Sequence, residues 1–273
     1  MRCTKMHGAG NSFLVTENLH GELQGENLSV LALRFCSTET GPGADGLIVL
    51  TPGPEGTDFA MRFFNSDGSL GEMCGNGARC AARYGVEHGL VRDPEKIRIL
   101  ATAGLVLGRR ITKERYQVRL NDPSVVDLHR FAAGLDCAYV ELGDPGIPHA
   151  VLEVPLSDFD DLNKLRERGR ALRYDPAFPK GANVTFACPA GGNSVRAITY
   201  ERGVEDFTLA CGTGCGATAV SLILRGRIPG DRVEIHMPGG DLCVSLRREG
   251  NTVTDLLLTG PTAVVESYDT LLP

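Results

Sequence analysis

No stretch of the 273 residues approaches the roughly eighteen consecutive apolar positions that a membrane helix needs. There is no basic run either, and the formal net charge is -6. A surface built to neutralise nucleic-acid phosphates is thereby excluded. Residues 1 to 11 show neither the apolar core nor the cleavage pattern of a signal peptide, so a cytoplasmic protein is expected. Low-complexity segments and long flexible linkers are missing too. No C-x-x-C pair occurs, which weakens both a redox dithiol and a structural zinc site.

Cysteine itself is plentiful, with nine residues, an odd number. The chain length and the missing signal oppose a secreted disulfide framework. Cys3, Cys36, Cys137, Cys188 and Cys243 sit in apolar or strand-like surroundings and read as small buried hydrophobes. A chain this long buries roughly three quarters of its unfolded surface and divides naturally into about two domains.

The remaining cysteines organise the sequence. Met73-Cys74-Gly75-Asn76-Gly77-Ala78-Arg79 is matched far downstream by Ala210-Cys211-Gly212-Thr213-Gly214-Cys215-Gly216. An extended run precedes each turn and a small-residue helix follows it, at Ala78 to Tyr84 and Gly216 to Leu224. Strand, loop, Cys-Gly-x-Gly and helix therefore occur twice, the mark of an internal duplication. Gly41-Pro42-Gly43-Ala44-Asp45-Gly46 matches a dinucleotide fingerprint in letters only. It follows a helical pattern and precedes the strand Leu47 to Leu50, the reverse of what that site requires.

A helix start leaves about four N–H groups unpaired and carries about half a positive charge. A thiol there is expected to ionise more readily than a free one, and the glycines let backbone approach an anion. Zinc binding, disulfide exchange and paired acid–base chemistry compete as uses for the two turns. Cys74-x5-Cys80 and Cys211-x3-Cys215 lack metal-site spacing, and Cys80 and Cys215 read as packing residues. Only acid–base chemistry explains the duplication: one thiolate takes a proton from carbon and the other thiol returns one to the opposite face. Two sulfurs flanking one carbon would be roughly 7 Å apart.

Phe13 to Val15, Phe59 to Phe64, Lys96 to Ala101 and Leu105 to Ile111 read as strands of the first half, with a helix at Leu28 to Phe35. Tyr116 to Leu120, Tyr139 to Glu141, Ala150 to Val154, Asn183 to Ala187, Arg196 to Tyr200, Val233 to His236, Leu242 to Arg247 and Val253 to Thr259 continue the pattern. A charged helix is expected from Leu156 to Arg170, and Ala263 to Tyr268 as a return to the first domain. The fold class is α+β, each half a mainly antiparallel sheet or barrel wrapped on a central helix. The expected domains are 1–113 with 261–273, carrying Cys74, and 114–260, carrying Cys211.

These motifs resemble the diaminopimelate epimerase family over essentially the whole chain. The resemblance is carried by Lys5 to Asn11, Phe64 to Ser69, Met73 to Cys80, Tyr200 to Gly203, Ala210 to Gly214 and Pro238-Gly239-Gly240. It implies a cofactor-independent and metal-free epimerase of LL- and meso-2,6-diaminopimelate in lysine and peptidoglycan synthesis. It also implies two pseudo-symmetric domains with the site in the cleft, and a homodimer. By position, Cys211 is the proton acceptor for the LL isomer and Cys74 the proton donor, with His149 and Glu201 as further catalytic residues. The amides at Gly75-Asn76 and Gly212-Thr213 would hold the reacting carboxylate. Asn11, Asn65, Asn183, Glu201 and Arg202 would read the distal amino acid group, Arg202 by a bidentate grip.

The chain departs from the pattern at Ile147, where many members have asparagine, and at Gly46, where some have glutamine. Both changes fall on substrate recognition, which leaves a related two-cysteine racemase of another amino acid, such as histidine, as the alternative. Proline racemases resemble Cys-Gly-His-Gly where Asn76 stands here, and no lysine lies near either motif to serve pyridoxal chemistry. An amino-acid-binding protein on the same scaffold is the non-enzymatic alternative; the loss of one cysteine would mark it, and both are present.

Overall fold

The computed structural model describes residues 1–71 and 74–269. Met73 of the first cysteine turn and residues 270–273 of the expected first domain lie outside the described residues. The chain forms two compact units, Met1–Val118 with Gly260–Pro273, and Arg119–Thr259.

The first unit runs β1 (Cys3–Gly8), β2 (Asn11–Glu17), α1 (Leu28–Cys36), β3 (Gly46–Thr51), β4 (Phe59–Asn65) and β5 (Leu70–Gly71). It continues with α2 (Gly75–Glu87), β6 (Ile97–Ala101), β7 (Gly104–Arg110) and β8 (Arg115–Arg119). The second unit holds β9 (Pro123–Ala132), β10 (Leu135–Leu142), β11 (Ile147–Glu153), α3 (Leu162–Arg173), β12 (Asn183–Gly191), β13 (Ser194–Glu201) and β14 (Asp206–Thr208). Then come α4 (Gly212–Leu224), β15 (Arg232–Met237), β16 (Gly240–Glu249) and β17 (Thr252–Pro261). β18 (Ala263–Tyr268) returns to pair antiparallel with β1, Cys3 opposite Tyr268.

Strand pairing shows how literal the duplication is. In the first unit β1–β2 is antiparallel, β2–β3 parallel, β3–β4 antiparallel, β4–β6 parallel, and β6–β7 and β7–β8 antiparallel. The second unit repeats that series through β10, β11, β12, β13, β15, β16 and β17. β5 hangs on β4 as β14 hangs on β13, and each short strand leads into a cysteine. One extra edge strand completes each unit, β18 on β1 and β9 on β10.

Both faces of these sheets are covered, which explains strands such as β3 that are buried almost throughout. Leu14, Leu47, Val49 and Phe64 pack with Leu31, Ala32 and Phe35 of α1. The alternate residues face α2, whose Gly77 lies against Phe13 and Ile48. In the second unit Tyr139, Ala150, Leu152, Val184, Phe186 and Ile198 pack with Leu165 and Leu172 of α3. α4 takes the opposite face, with Leu120, Leu142 and Leu256 filling the space beside Gly216. Because α2 touches β1, β2, β3 and β7, and α4 touches β9 to β12 and β15 to β16, each sheet curls around its helix.

Several elements differ from the sequence reading. The charged helix is divided into a 3-10 turn at Leu156–Asp160 and α3, because the Asp161 side chain caps Lys164 N and starts a new helix. β9 went unread because Val125, Val126 and Phe131 are exposed and break the alternation. The two cysteine helices begin earlier than their small residues suggested, at Gly75 and Gly212, with the cysteines as N-caps. No described helix is long and apolar enough to cross a membrane.

Candidate active site

In the first unit the β1–β2 hairpin turns through Ala9 and Gly10, at φ 51° and 82°, a two-residue turn that needs left-handed angles at both positions. The turn sets Asn11 beside the start of α2. Gly8 lies so close that a Cβ there would come within 3.0 Å of the Asn76 carbonyl. Cys74 caps α2, its sulfur accepting the Gly77 N–H at 3.4 Å and donating to Asn11 Oδ1 at 3.7 Å. Gly75 and Asn76 form the buried first turn, and Asn76 Nδ2 donates to Asn11 Oδ1 at 3.4 Å. Asn65 ends β4 opposite Gly46, and its Nδ2 donates to Ser69 Oγ at 2.9 Å, the role of a turn residue.

The second unit repeats the cap with different neighbours. Cys211 accepts the Gly214 N–H at 3.3 Å, and Thr213 Oγ1 lies 3.6 Å from its sulfur. A Cβ on Gly214 would meet Thr199 Oγ1, Thr185 Oγ1 and the sulfur at 2.9, 3.0 and 3.2 Å, so glycine is required. Gly212 begins the helix. Glu201, half-buried at the end of β13, takes the Cys211 thiol as donor and the Thr208 hydroxyl at 2.5 Å.

The expected ease of ionisation is overturned at Cys211. The helix-start contacts do favour its thiolate, through Thr213 and the Gly214 N–H. Burial and then the Glu201 charge oppose them more strongly, and the thiol is pushed well above its usual range. Burial also raises the Glu201 carboxyl. The pair therefore holds its last negative charge at a cost, and two adjacent negative charges are disfavoured.

Glu201 is the last residue of β13, and Arg202 opens the turn that follows. Glu201 turns to the cysteine. Arg202 is exposed, its Nη1 donating to the Lys180 carbonyl at 3.0 Å and its backbone N–H to Asn183 Oδ1 at 2.8 Å. Asn183 in turn donates to the Pro148 carbonyl at 3.2 Å. Tyr139, Glu141 and Lys180, which no sequence motif marks, stand next to this cluster. Tyr139 and Lys180 both bond the buried Glu141 carboxylate, at 2.5 and 2.9 Å.

Register relates the two halves residue by residue. Phe13 opposes Gly46 as His149 opposes Asn183. Two residues earlier, Asn11 and Ile147 hold the same hairpin position, opposite Gly8 and Leu142. Each half thus keeps one asparagine of the two positions, Asn11 in the first and Asn183 in the second. Gly46 and Ile147 are the vacant counterparts.

His149 has no solvent exposure, and neither ring nitrogen has a hydrogen-bond partner among the described residues. Burial, then the Arg202 charge, push it down to about 3, so the imidazole is neutral in the fold. The unfolded chain binds a proton near pH 6.5 that the folded chain refuses until about pH 3. This stability is complete above the unfolded value and is lost as pH falls, at about 1.4 kcal/mol per pH unit. His149→Phe, the residue at the matching position of the first unit, should remove about 3 kcal/mol of acid destabilisation between pH 6.5 and 4. Urea unfolding of both proteins across that range measures it; parallel curves would refute it.

Among the described residues no group of three or more His, Cys, Asp or Glu side chains is disposed to hold a metal ion. Of the nine cysteines, all but Cys74 are buried.

Comparison with known proteins agrees with this arrangement. The diaminopimelate epimerase family model matches residues 3–124 and 143–265. Diaminopimelate epimerase of Aquifex aeolicus (strain VF5) is 36% identical over 251 residues, covering 89% of this chain and 88% of that one. The Bacillus subtilis (strain 168) enzyme of the same name is 32% identical over 287 residues, covering 97% and 96%. Among solved structures, a probable proline racemase from Agrobacterium radiobacter K84 superposes with a TM-score of 0.71 at 19% identity, covering 100% of this chain and 93% of that one. A Bacillus anthracis phenazine biosynthesis protein of the PhzF family gives 0.73 at 12% identity, covering 100% and 99%. These two likenesses speak for the fold alone. With the family model spanning both halves and each cysteine standing as the cap of its central helix, the chain belongs to the diaminopimelate epimerase family.

Proposed function

We propose that this protein interconverts LL- and meso-2,6-diaminopimelate, with Cys211 taking the α-proton of the LL isomer and Cys74 supplying one to the other face. The observation that carries the reading is the pair of N-capping thiols with unlike partners, a carboxylate at Cys211 and a neutral amide at Cys74. Unlike partners suit unlike roles.

Glu201 accepts the Cys211 S–H proton, and the thiolate so formed removes the α-proton. Burial makes that thiolate a stronger base than an exposed one, which suits a weakly acidic carbon. One negative charge moves from Glu201 through sulfur to the substrate carbanion, so the buried pair never carries two. Cys74 then gives its proton to the carbanion, and the Gly77 N–H steadies the sulfur left behind. In the reverse direction the roles exchange. The N–H groups of Gly75, Asn76, Gly212 and Thr213 lie in helix first turns, where a carboxylate is favoured. Asn11, Asn65, Asn183 and Arg202 read the distal group, and neutral His149 adjoins Asn183 in register. The scheme needs only the protein's own acids and bases. The family resemblance supports a homodimer working in the cytoplasm.

The test is incubation of LL-diaminopimelate with the protein in deuterated water. Deuterium at one α-carbon and appearance of the meso isomer are expected. No exchange at either centre would overturn the proposal, and exchange of histidine alone would move it to another amino acid.

A further inference from the structure

Four polar side chains behind Cys74 form a chain of hydrogen bonds that all run one way. Arg79, which has no solvent exposure, donates from Nη2 to Asn76 Oδ1 at 2.8 Å and from Nη1 to the Gly75 carbonyl at 3.2 Å. Asn76 Nδ2 donates to Asn11 Oδ1 at 3.4 Å, and Asn11 Nδ2 donates to Asp45 Oδ2 at 2.9 Å. The same Asp45 oxygen takes the Ser12 N–H at 2.6 Å and the Ser12 hydroxyl at 2.9 Å. The two ends have no freedom of polarity: a guanidinium only donates and a carboxylate only accepts.

We propose that Asp45 and Arg79 are positioning residues for the Cys74 thiol, fixing which way the Asn11 and Asn76 amides point so that the sulfur meets a carbonyl oxygen. Turning Asn11 over would set its oxygen against Asp45 and its NH2 against that of Asn76. Turning Asn76 over would set its NH2 against Arg79. Held as they are, the amides offer Cys74 an acceptor at Asn11 Oδ1, and an acceptor favours S–H over S⁻. The Gly77 N–H works in the opposite sense at the same sulfur. The chain of amides thus offsets the helix start and keeps Cys74 loaded with the proton it must deliver.

The second unit has no such device. Gly216 stands where Arg79 stands in the first, enclosed by Leu120, Leu142 and Leu256, and a carboxylate, Glu201, faces the thiol. Among the described residues, most other charged groups on the elements packed against α2 have partners of their own. Lys5 donates to the Pro42 carbonyl, Glu17 accepts from Tyr84 and Arg109 donates to Gln117. On α2 itself Arg83 is held by Glu87 and the Thr262 carbonyl, and the Cys80 thiol is buried. Arg110 on β7 and His7 on β1 are the remaining titratable neighbours among the described residues, with His7 Nδ1 buried.

The inference rests on Cys74 as the proton donor, but its test uses no substrate, so the two fail separately. In full-length protein carrying Cys211→Ser, the rate of Cys74 alkylation by iodoacetamide is followed against pH, with the site read by mass spectrometry. Asp45→Asn and Arg79→Gln are then added together, since the chain can reverse and present an N–H to sulfur only when both ends are amides. The pair should move the alkylation midpoint to lower pH, with about tenfold faster reaction at a fixed pH on the acid side. Either substitution alone leaves one end of fixed polarity and should keep the parent profile, as should Arg79→Lys, which still only donates. An unmoved or alkaline-shifted midpoint in the paired variant would overturn the proposal; if that variant does not fold, Asn11→Ala, which removes the acceptor itself, should give the same acid shift, and an unmoved midpoint there would overturn it.

Discussion

Replacing Cys211 by alanine should lower the turnover of LL-diaminopimelate by about 10²–10⁴-fold, and replacing Cys74 should do the same. The two losses will look alike in steady state and unlike in isotope exchange. With Cys74→Ala, Cys211 still reaches the α-proton of the LL isomer, so slow deuteration without inversion is expected. With Cys211→Ala the LL isomer has lost its base, and exchange should instead survive at one centre of the meso isomer. The double variant should lose little more than either single one, because the thiols act as one unit. Turnover within tenfold of the parent in either single variant would end the two-thiol scheme.

The second large effect is expected at Glu201. Glu201→Gln removes the group that receives the Cys211 proton, and kcat for the LL isomer should fall by about 10²–10³-fold with little change in KM. The pH profile should change in kind. In the parent, activity fades on the acid side as the Glu201 carboxyl, raised by burial, takes up its proton. In Glu201→Gln the thiol must ionise unaided, so the acid limb should move to higher pH. The Cys211 thiol will itself ionise more easily than in the parent, since the Glu201 charge no longer opposes it, yet burial, the larger cause, remains. Alkylation of Cys211 followed against pH would separate these two shifts. An acid limb unchanged in Glu201→Gln would assign it to another group.

Much of the fold was legible because a duplication presents each signal twice. The two cysteine turns, the strands Leu47 to Leu50 and Asn183 to Ala187, and the return at Ala263 to Tyr268 all appear in the structure, most with longer bounds. β9 and the break at Asp161 were hidden, the first because its apolar side chains are exposed, the second because one capping side chain decides it. At the site, residue type revealed the thiols and glycines, whose chemistry follows from helix starts in general. It could not reveal that burial outweighs the helix end at Cys211, since that balance depends on three-dimensional neighbours. Asp45 and Arg79 were hidden for another reason. One lay in a glycine run dismissed as a nucleotide signature, and the other stood in the first cysteine turn with no role of its own. Only side-chain polarity in the folded unit connects them.

Each of the two sulfurs proposed to carry the reaction is also the N-cap of its helix. Sulfur is a weak acceptor, and serine, which takes the same helix N–H more strongly, belongs to the most favoured class of N-cap. Selection for heat tolerance alone would thus drive both positions toward serine, and selection for turnover holds them at cysteine. At these two residues endurance and catalysis compete for a single atom, and a lineage adapting to high temperature must find its stability elsewhere in the chain.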